Sequence, residues 1–173
     1  MSQHATVNCT SGGLIWGLQR PHFLDRPFVA SMSCKRPESV LIVIHTNAGE
    51  CLLLRRVAPE DFWQSVTGSL KWGEDVETAA ARELFEETGF AAEHLQREDL
   101  TFEFPIIEPW KQRYAPGTQS NHETVFSLRF ERRKVPVLNP KEHVEAIWLP
   151  KMQAMERVSS WTNREAIALI VAD

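Results

Sequence analysis

No apolar stretch in this sequence approaches the roughly 18 residues that a membrane-spanning helix needs. The strongest, "VLIVI" at 40–44, reads as a strand. Positive charge is not in excess either. Lys and Arg number 19 against 23 Asp and Glu, a formal net charge of −4, without the basic footprint that a nucleic-acid partner requires. Cysteine is sparse. Cys9, Cys34 and Cys51 are odd in number, far apart and without a C-x-x-C pair, which excludes a disulfide framework and a cysteine zinc site and fits a reducing cytoplasm. Internal repeats and low-complexity tracts are missing, and the first residues lack the basic head and apolar centre of a secretory signal.

What is present has the size and balance of one globular domain: 173 residues, 43% hydrophobic and 24% charged. Residues 1–34 show no clean period of 2 or 3.6 and are rich in Ser, Thr, Gly and Pro. They read as a flexible N-terminal arm, with Met32 as an alternative beginning, and 35–173 as the working domain. "SVLIVIH" (39–45) and "CLLLRR" (51–56) read as buried strands joined by a turn at Asn47-Ala48-Gly49. "FWQSV" (62–66) is a short aromatic strand. A helix follows, with Asp75 as N-cap and Gly89 as its C-terminal stop. Further strands are expected at 101–107, 123–130 and 144–149, and a last helix from Thr162, where T-N-R-E is a capping box. Trp63 and Trp161 read as core anchors. Strands with a helix between them and another at the end predict an α/β mixed sheet sandwiched by helices.

The stretch "GSLKWGEDVETAAARELFEETGF" (68–90) packs six carboxylates into 23 positions. Glu83 and Glu87 stand one turn apart on one helix face, Glu86 lies to the side, and Ala80 and Leu84 form the neighbouring apolar stripe. The acids therefore sit at the edge of the core. Like charges at i, i+4 cost a helix a few tenths of a kcal/mol, partial burial costs more, and Arg82 alone does not neutralise three acids. A solvated acidic face is the ordinary explanation of such a run; a bound cation is the other.

Spacing favours the cation. Gly68, Glu74 and "RELFEETGF" fit G-x5-E-x7-R-E-U-x-E-E-x-G-U at all nine specified positions, U being bulky and apolar. This resembles the Nudix box of enzymes that hydrolyse nucleoside diphosphates linked to another group, and the resemblance implies an α/β/α sandwich. Carboxylates suit Mg²⁺, or Mn²⁺, ions that keep waters and also bind phosphate oxygens. The ligand candidates are Glu83, Glu86 and Glu87. Arg82 is expected to orient acids by a bidentate contact, Glu74 to anchor the preceding loop or reach the metal through water, and Gly68 to let the backbone turn beside the phosphates. The resemblance leaves open which carboxylate acts as base.

Outside the box, "KRPESVLIVI" (35–44), "DFWQSVTGS" (61–69), "RYAPG" (113–117), "KEHVEAIWL" (141–149) and "SSWTNREAI" (159–167) are similar to a narrower family, the dihydroneopterin triphosphate diphosphatases of folate synthesis. The similarity spans essentially all of 35–170. It implies hydrolysis of 7,8-dihydroneopterin triphosphate to the monophosphate and pyrophosphate. It also implies Glu142, or alternatively Glu123, as a further metal ligand, and Lys35, Arg56 and Thr67 as substrate contacts. Phe104, Pro105, Ile106 and Ile107 are implied as a lining for the pterin and Ser160 as a residue closing its site. His143, beside Glu142, is assigned no role. Ser69 replaces the second glycine common after the first in many Nudix boxes, a change this narrower family tolerates. Pro105, 15 residues beyond Phe90, is a feature of the ADP-ribose-cleaving branch and keeps ADP-ribose and nucleoside triphosphates as alternative substrates. A Nudix-like sensor that binds without cleaving is a third reading, opposed by the intact box. The expected partner is thus a small polyphosphate; oligomeric state is unreadable.

Overall fold

In the computed structural model, residues 34–108 and 110–172 are described, so the expected arm falls outside them apart from Cys34. The run Val40–Ile44 has no polar side because strand β1 (Glu38–Thr46) is covered on both faces, and all five residues are at most 1% exposed. β1 pairs in parallel with β6 (Ser120–Phe130) and antiparallel with both β2 (Glu50–Arg56) and β4 (Val66–Ser69). β3 (Trp63–Gln64) and β7 (His143–Pro150) pair with β2, and β5 (Leu95–Pro105) pairs with β6. The result is one seven-stranded mixed sheet.

Alternate residues of the strands build two cores. Val40, Ile42, Ile44 and Phe126 pack against Ala79, Ala80 and Leu84 of helix α1 (Val76–Thr88). Leu41, Val43 and Val125 on the opposite face meet Ala154 of α2 (Lys151–Arg157) and Ala166 and Ile167 of α3 (Trp161–Ile170). The α/β/α sandwich expected from the pattern is the fold observed.

Several boundaries differ from the expectation. The strand expected over 62–66 is two short ones, β3 and β4, which pair with different neighbours. β5 begins at Leu95 and ends at Pro105 rather than running to 107, and a short 3₁₀ turn follows at Trp110–Arg113. α3 starts at Trp161, not Thr162; its N-cap is Ser160, whose hydroxyl accepts from the Asn163 N–H. Thr162 lies within the helix, so T-N-R-E is not a capping box.

Both ends of α1 follow the sequence. The Asp75 carboxylate accepts from the Thr78 N–H at 2.8 Å, and Gly89 closes the helix at φ 69°, a left-handed conformation suited to glycine. An Asp75→Ala variant is expected to lower Tm by roughly 2–4 °C. An unchanged thermal melt would show that the cap contributes nothing.

Candidate active site

α1 lays its apolar stripe on the sheet, and this forces the acids at its margin partly under cover. Glu83 is 9% exposed and Glu87 1%, whereas Glu86 is exposed. The i, i+4 face predicted for Glu83 and Glu87 is therefore the buried one. Burial pushes the Glu83 carboxyl up to about 7, against Arg82, which pulls it down; Glu87 and Glu86 add to the rise. Burial also raises Glu87.

Gly68 is what lets Glu83 lie where it does. A Cβ at Gly68 would stand 1.8 Å from the Glu83 Cδ, so the carboxylate passes through the space that a side chain would fill. The expectation that Gly68 serves a turn is corrected: it lies in β4, opposite Val40, and its contribution is a missing side chain.

Arg82 reaches further than its sequence position suggests. Its Nε and Nη2 donate to the two Glu74 oxygens at 2.8 and 2.9 Å, and Nη1 donates to Glu83 at 2.6 Å and Glu86 at 3.2 Å. Nη2 also donates to the Ser69 carbonyl at 3.2 Å. The bidentate Arg82–Glu74 contact holds the Glu74 carboxyl below the usual carboxylate range and ties the loop before α1 to its middle.

Glu87 is left to a different partner. Glu142 ends the turn before β7 and His143 opens the strand beside the end of β2, where Arg56 registers with His143 and the Val57 N–H donates to the Glu142 carbonyl at 2.8 Å. His143 Nε2 is 3.2 Å from Glu87 Oε2, within ion-pair range but not aligned for a hydrogen bond, so both buried atoms lack a hydrogen-bond partner among the described residues. Glu87, Glu142 and His143 each offer a ligand atom, all within 4.8 Å of one another. One unpartnered buried Glu87 oxygen, the half-buried Glu142 carboxylate and an imidazole in so small a volume suit a divalent cation. Glu142 belongs to this cluster and Glu123 does not.

A cavity of about 830 Å³ opens beside these acids. Glu83, Glu86 and Glu142 line it together with Lys35, Arg56, Thr67 and Gly68. Lys35 donates to the Ser69 hydroxyl at 3.1 Å, and its pKa is lowered by burial and by Arg113, with Glu83 opposing. Phe104, Pro105, Ile106 and Ile107 line another part of the same cavity, joined by Trp110 and Trp161. Ser160 lines it too, while serving as the α3 cap. Trp63 is core as expected, 3% exposed, but Trp161 is not: it is 55% exposed, at the cavity, edge-on to Phe102.

Gln64, Arg113, Tyr114 and Asn121 also line the cavity, and His143 joins the Glu87 and Glu142 cluster; reasoning from sequence gave none of the five a role. "RYAPG" contained Arg113 and Tyr114 without saying where they point. Asn121 and Glu123, polar at i and i+2 of β6, share one face of that strand, ahead of the buried Val125.

The two helical layers, the mixed sheet and an acid-bearing α1 define a class. The NUDIX domain model matches residues 35–170, and the chain belongs to the Nudix family of hydrolases. It is 40% identical over 142 residues to the dihydroneopterin triphosphate diphosphatase of Escherichia coli (strain K12), covering 79% of this chain and 93% of that one. To the enzyme of the same name from Haemophilus influenzae it is 34% identical over 141 residues, 79% of this chain and 88% of that one. The solved structure of the E. coli dihydroneopterin triphosphate pyrophosphohydrolase aligns with a TM-score of 0.74 at 38% identity, over 80% of this chain and 97% of that one. The chain is thus a Nudix hydrolase, similar along most of its length to enzymes named for a pterin triphosphate.

Proposed function

We propose that the protein hydrolyses 7,8-dihydroneopterin triphosphate to dihydroneopterin monophosphate and pyrophosphate, with Mg²⁺ as cofactor and Mn²⁺ as a substitute. Water adds its oxygen to one fragment as the bond between the first and second phosphates breaks. The observation that carries this reading is a single cavity joining an acid cluster and cations to an apolar wall, in a chain 40% identical to an enzyme of that name.

Glu83, Glu86, Glu87 and Glu142 would hold the metal, with the His143 imidazole available beside Glu87 and Glu142. Such an ion neutralises phosphate charge and makes bound water more acidic. Arg82, with Glu74 behind it, fixes Glu83 and Glu86 in place. Lys35, Arg56 and Arg113 supply positive charge for the polyphosphate, and Thr67 a hydroxyl. The stretch Phe104–Ile107 offers apolar surface for a bicyclic ring, and Ser160 lines the same cavity. The setting is cytoplasmic, with a small molecule as partner rather than nucleic acid or a membrane. Among the described residues no helix is long and apolar enough to cross one.

A second reading, cleavage of ADP-ribose or a nucleoside triphosphate, is favoured by Pro105, which ends β5 and lines the cavity. The test offers dihydroneopterin triphosphate, dGTP, ATP and ADP-ribose side by side with Mg²⁺ and separates pyrophosphate from phosphate. The highest kcat/KM on the pterin, with pyrophosphate released, is the expected result. Preferred conversion of ADP-ribose to AMP would overturn it.

A further inference from the structure

Deep in the same cavity, away from the acid cluster of α1, β6 carries two polar side chains that the hydrolytic reading does not use. Glu123 is 5% exposed and Asn121 2%. Among the described residues, Glu123 Oε2 and Asn121 Oδ1 have no hydrogen-bond partner, although both residues line the cavity. Their remaining atoms are held. The Ser39 hydroxyl donates to Glu123 Oε1 at 3.4 Å and accepts from Asn121 Nδ2 at 2.7 Å. With Nδ2 occupied in this way, the amide presents its oxygen. Two buried acceptors left without donors are costly unless a ligand supplies the donors.

We propose that Glu123, with Asn121 beside it, is the specificity-determining acceptor pair that receives the N–H edge of a 2-amino-4-oxo ring. This rests on the pterin reading above and deepens it. That edge carries a ring N–H next to an exocyclic amino group, so that adjacent donors point the same way. A carboxylate oxygen takes one and the amide oxygen another. Adenine has no such edge, because the ring nitrogens beside its amino group are acceptors. Guanine has it. Burial lifts the Glu123 carboxyl to about 7, against the nearby hydroxyls of Thr162 and Ser39, of which only Ser39 reaches hydrogen-bond distance, and on Oε1; donors brought by a ligand to Oε2 stabilise the ionised form that burial disfavours.

The placement also separates Glu123 from the Glu87, Glu142 and His143 cluster proposed to take the metal. It belongs to β6, on the face of the sheet covered by α3, whereas Glu87, Glu142 and His143 cluster apart from it.

The experiment compares the full chain with Glu123→Gln on dihydroneopterin triphosphate, dGTP and ATP, with thermal melting and Mg²⁺ titration as controls. The unaltered protein is also given the 2-desamino analogue of the pterin substrate, a test that no folding defect can confuse. Loss of a charged acceptor is expected to lower kcat/KM on the pterin about 10- to 100-fold, mainly through KM. ATP hydrolysis and Mg²⁺ affinity should not change, and the 2-desamino analogue should suffer a comparable loss. An equal fall on ATP, a weakened Mg²⁺ affinity, or full turnover of the analogue would overturn the assignment. If the unaltered protein does not prefer the pterin to ATP, the substrate reading fails on its own account. Its preference for dGTP over ATP, and loss of that preference in Glu123→Gln, would still test the acceptor pair.

Discussion

A Glu83→Gln variant is expected to lose at least about 100-fold in kcat, while in the absence of metal it melts no lower than the parent at pH 8. The two halves have one cause. Glu83 is buried against the sheet with its carboxyl raised to about 7 from 4.5, and Glu87 beneath it is raised as well. A carboxyl whose folded pKa lies above its unfolded value binds its proton more tightly when folded. Its stabilising contribution is complete below the unfolded pKa and is lost as pH rises through the folded one. The metal-free parent should therefore lose thermal stability between about pH 4.5 and 7. Glutamine removes part of that loss, because it carries no charge to bury, and Arg82 keeps its bidentate Glu74 partner. Added Mg²⁺ should raise the Tm of the parent and less so that of the variant. Full activity in Glu83→Gln would remove the residue from the metal set. Lost activity together with a melt several degrees lower would assign it to the fold instead.

Gly68→Ala is the more severe test of geometry, because it adds one carbon and removes no functional group. That carbon would lie 1.8 Å from the Glu83 Cδ and 2.1 Å from its Oε1, so the two cannot coexist. The yielding partner is the far end of a glutamate, which can swing aside; the β4 backbone, paired with β1, stays. Stability should change little. Mg²⁺ affinity should fall about 10- to 100-fold, with activity following it. Calorimetric titration of Mg²⁺ beside a thermal melt checks both. Unaltered metal binding would show that Glu83 has a second productive position and that the close approach is incidental.

The box glutamates were legible because spacing along a helix is geometry: residues four apart share a face whatever surrounds them. The sandwich was legible for a similar reason, since Val40–Ile44 without a polar position demands cover on both sides. What escaped depends on contacts distant in sequence. Nothing near Gly68 announces that Glu83, fifteen positions later, fills its missing side chain. His143 looked unremarkable beside Glu142, and its link to Glu87 exists only because β7 begins beside the end of β2. Trp161 read as core because large aromatics usually are, yet it is the first residue of α3, and the N-cap at Ser160 leaves its ring at the cavity. Local pattern also misplaced that cap: two hydroxyls stand two residues apart, and only the helix start decides between them.

The described chain enters and leaves at opposite ends of one strand. Lys35, just before β1, lines the cavity, and the Cys34 carbonyl accepts from the Trp72 indole N–H at 2.9 Å. Ala172 lies instead beside Gly49, in the turn that follows β1. A nine-residue strand spans roughly 30 Å. A dye, an affinity tag or a sensor surface linked directly to residue 34 would sit beside the cavity, whereas the same attachment at residue 172 would sit beyond the other end of β1. Immobilised assays of this protein are best anchored there.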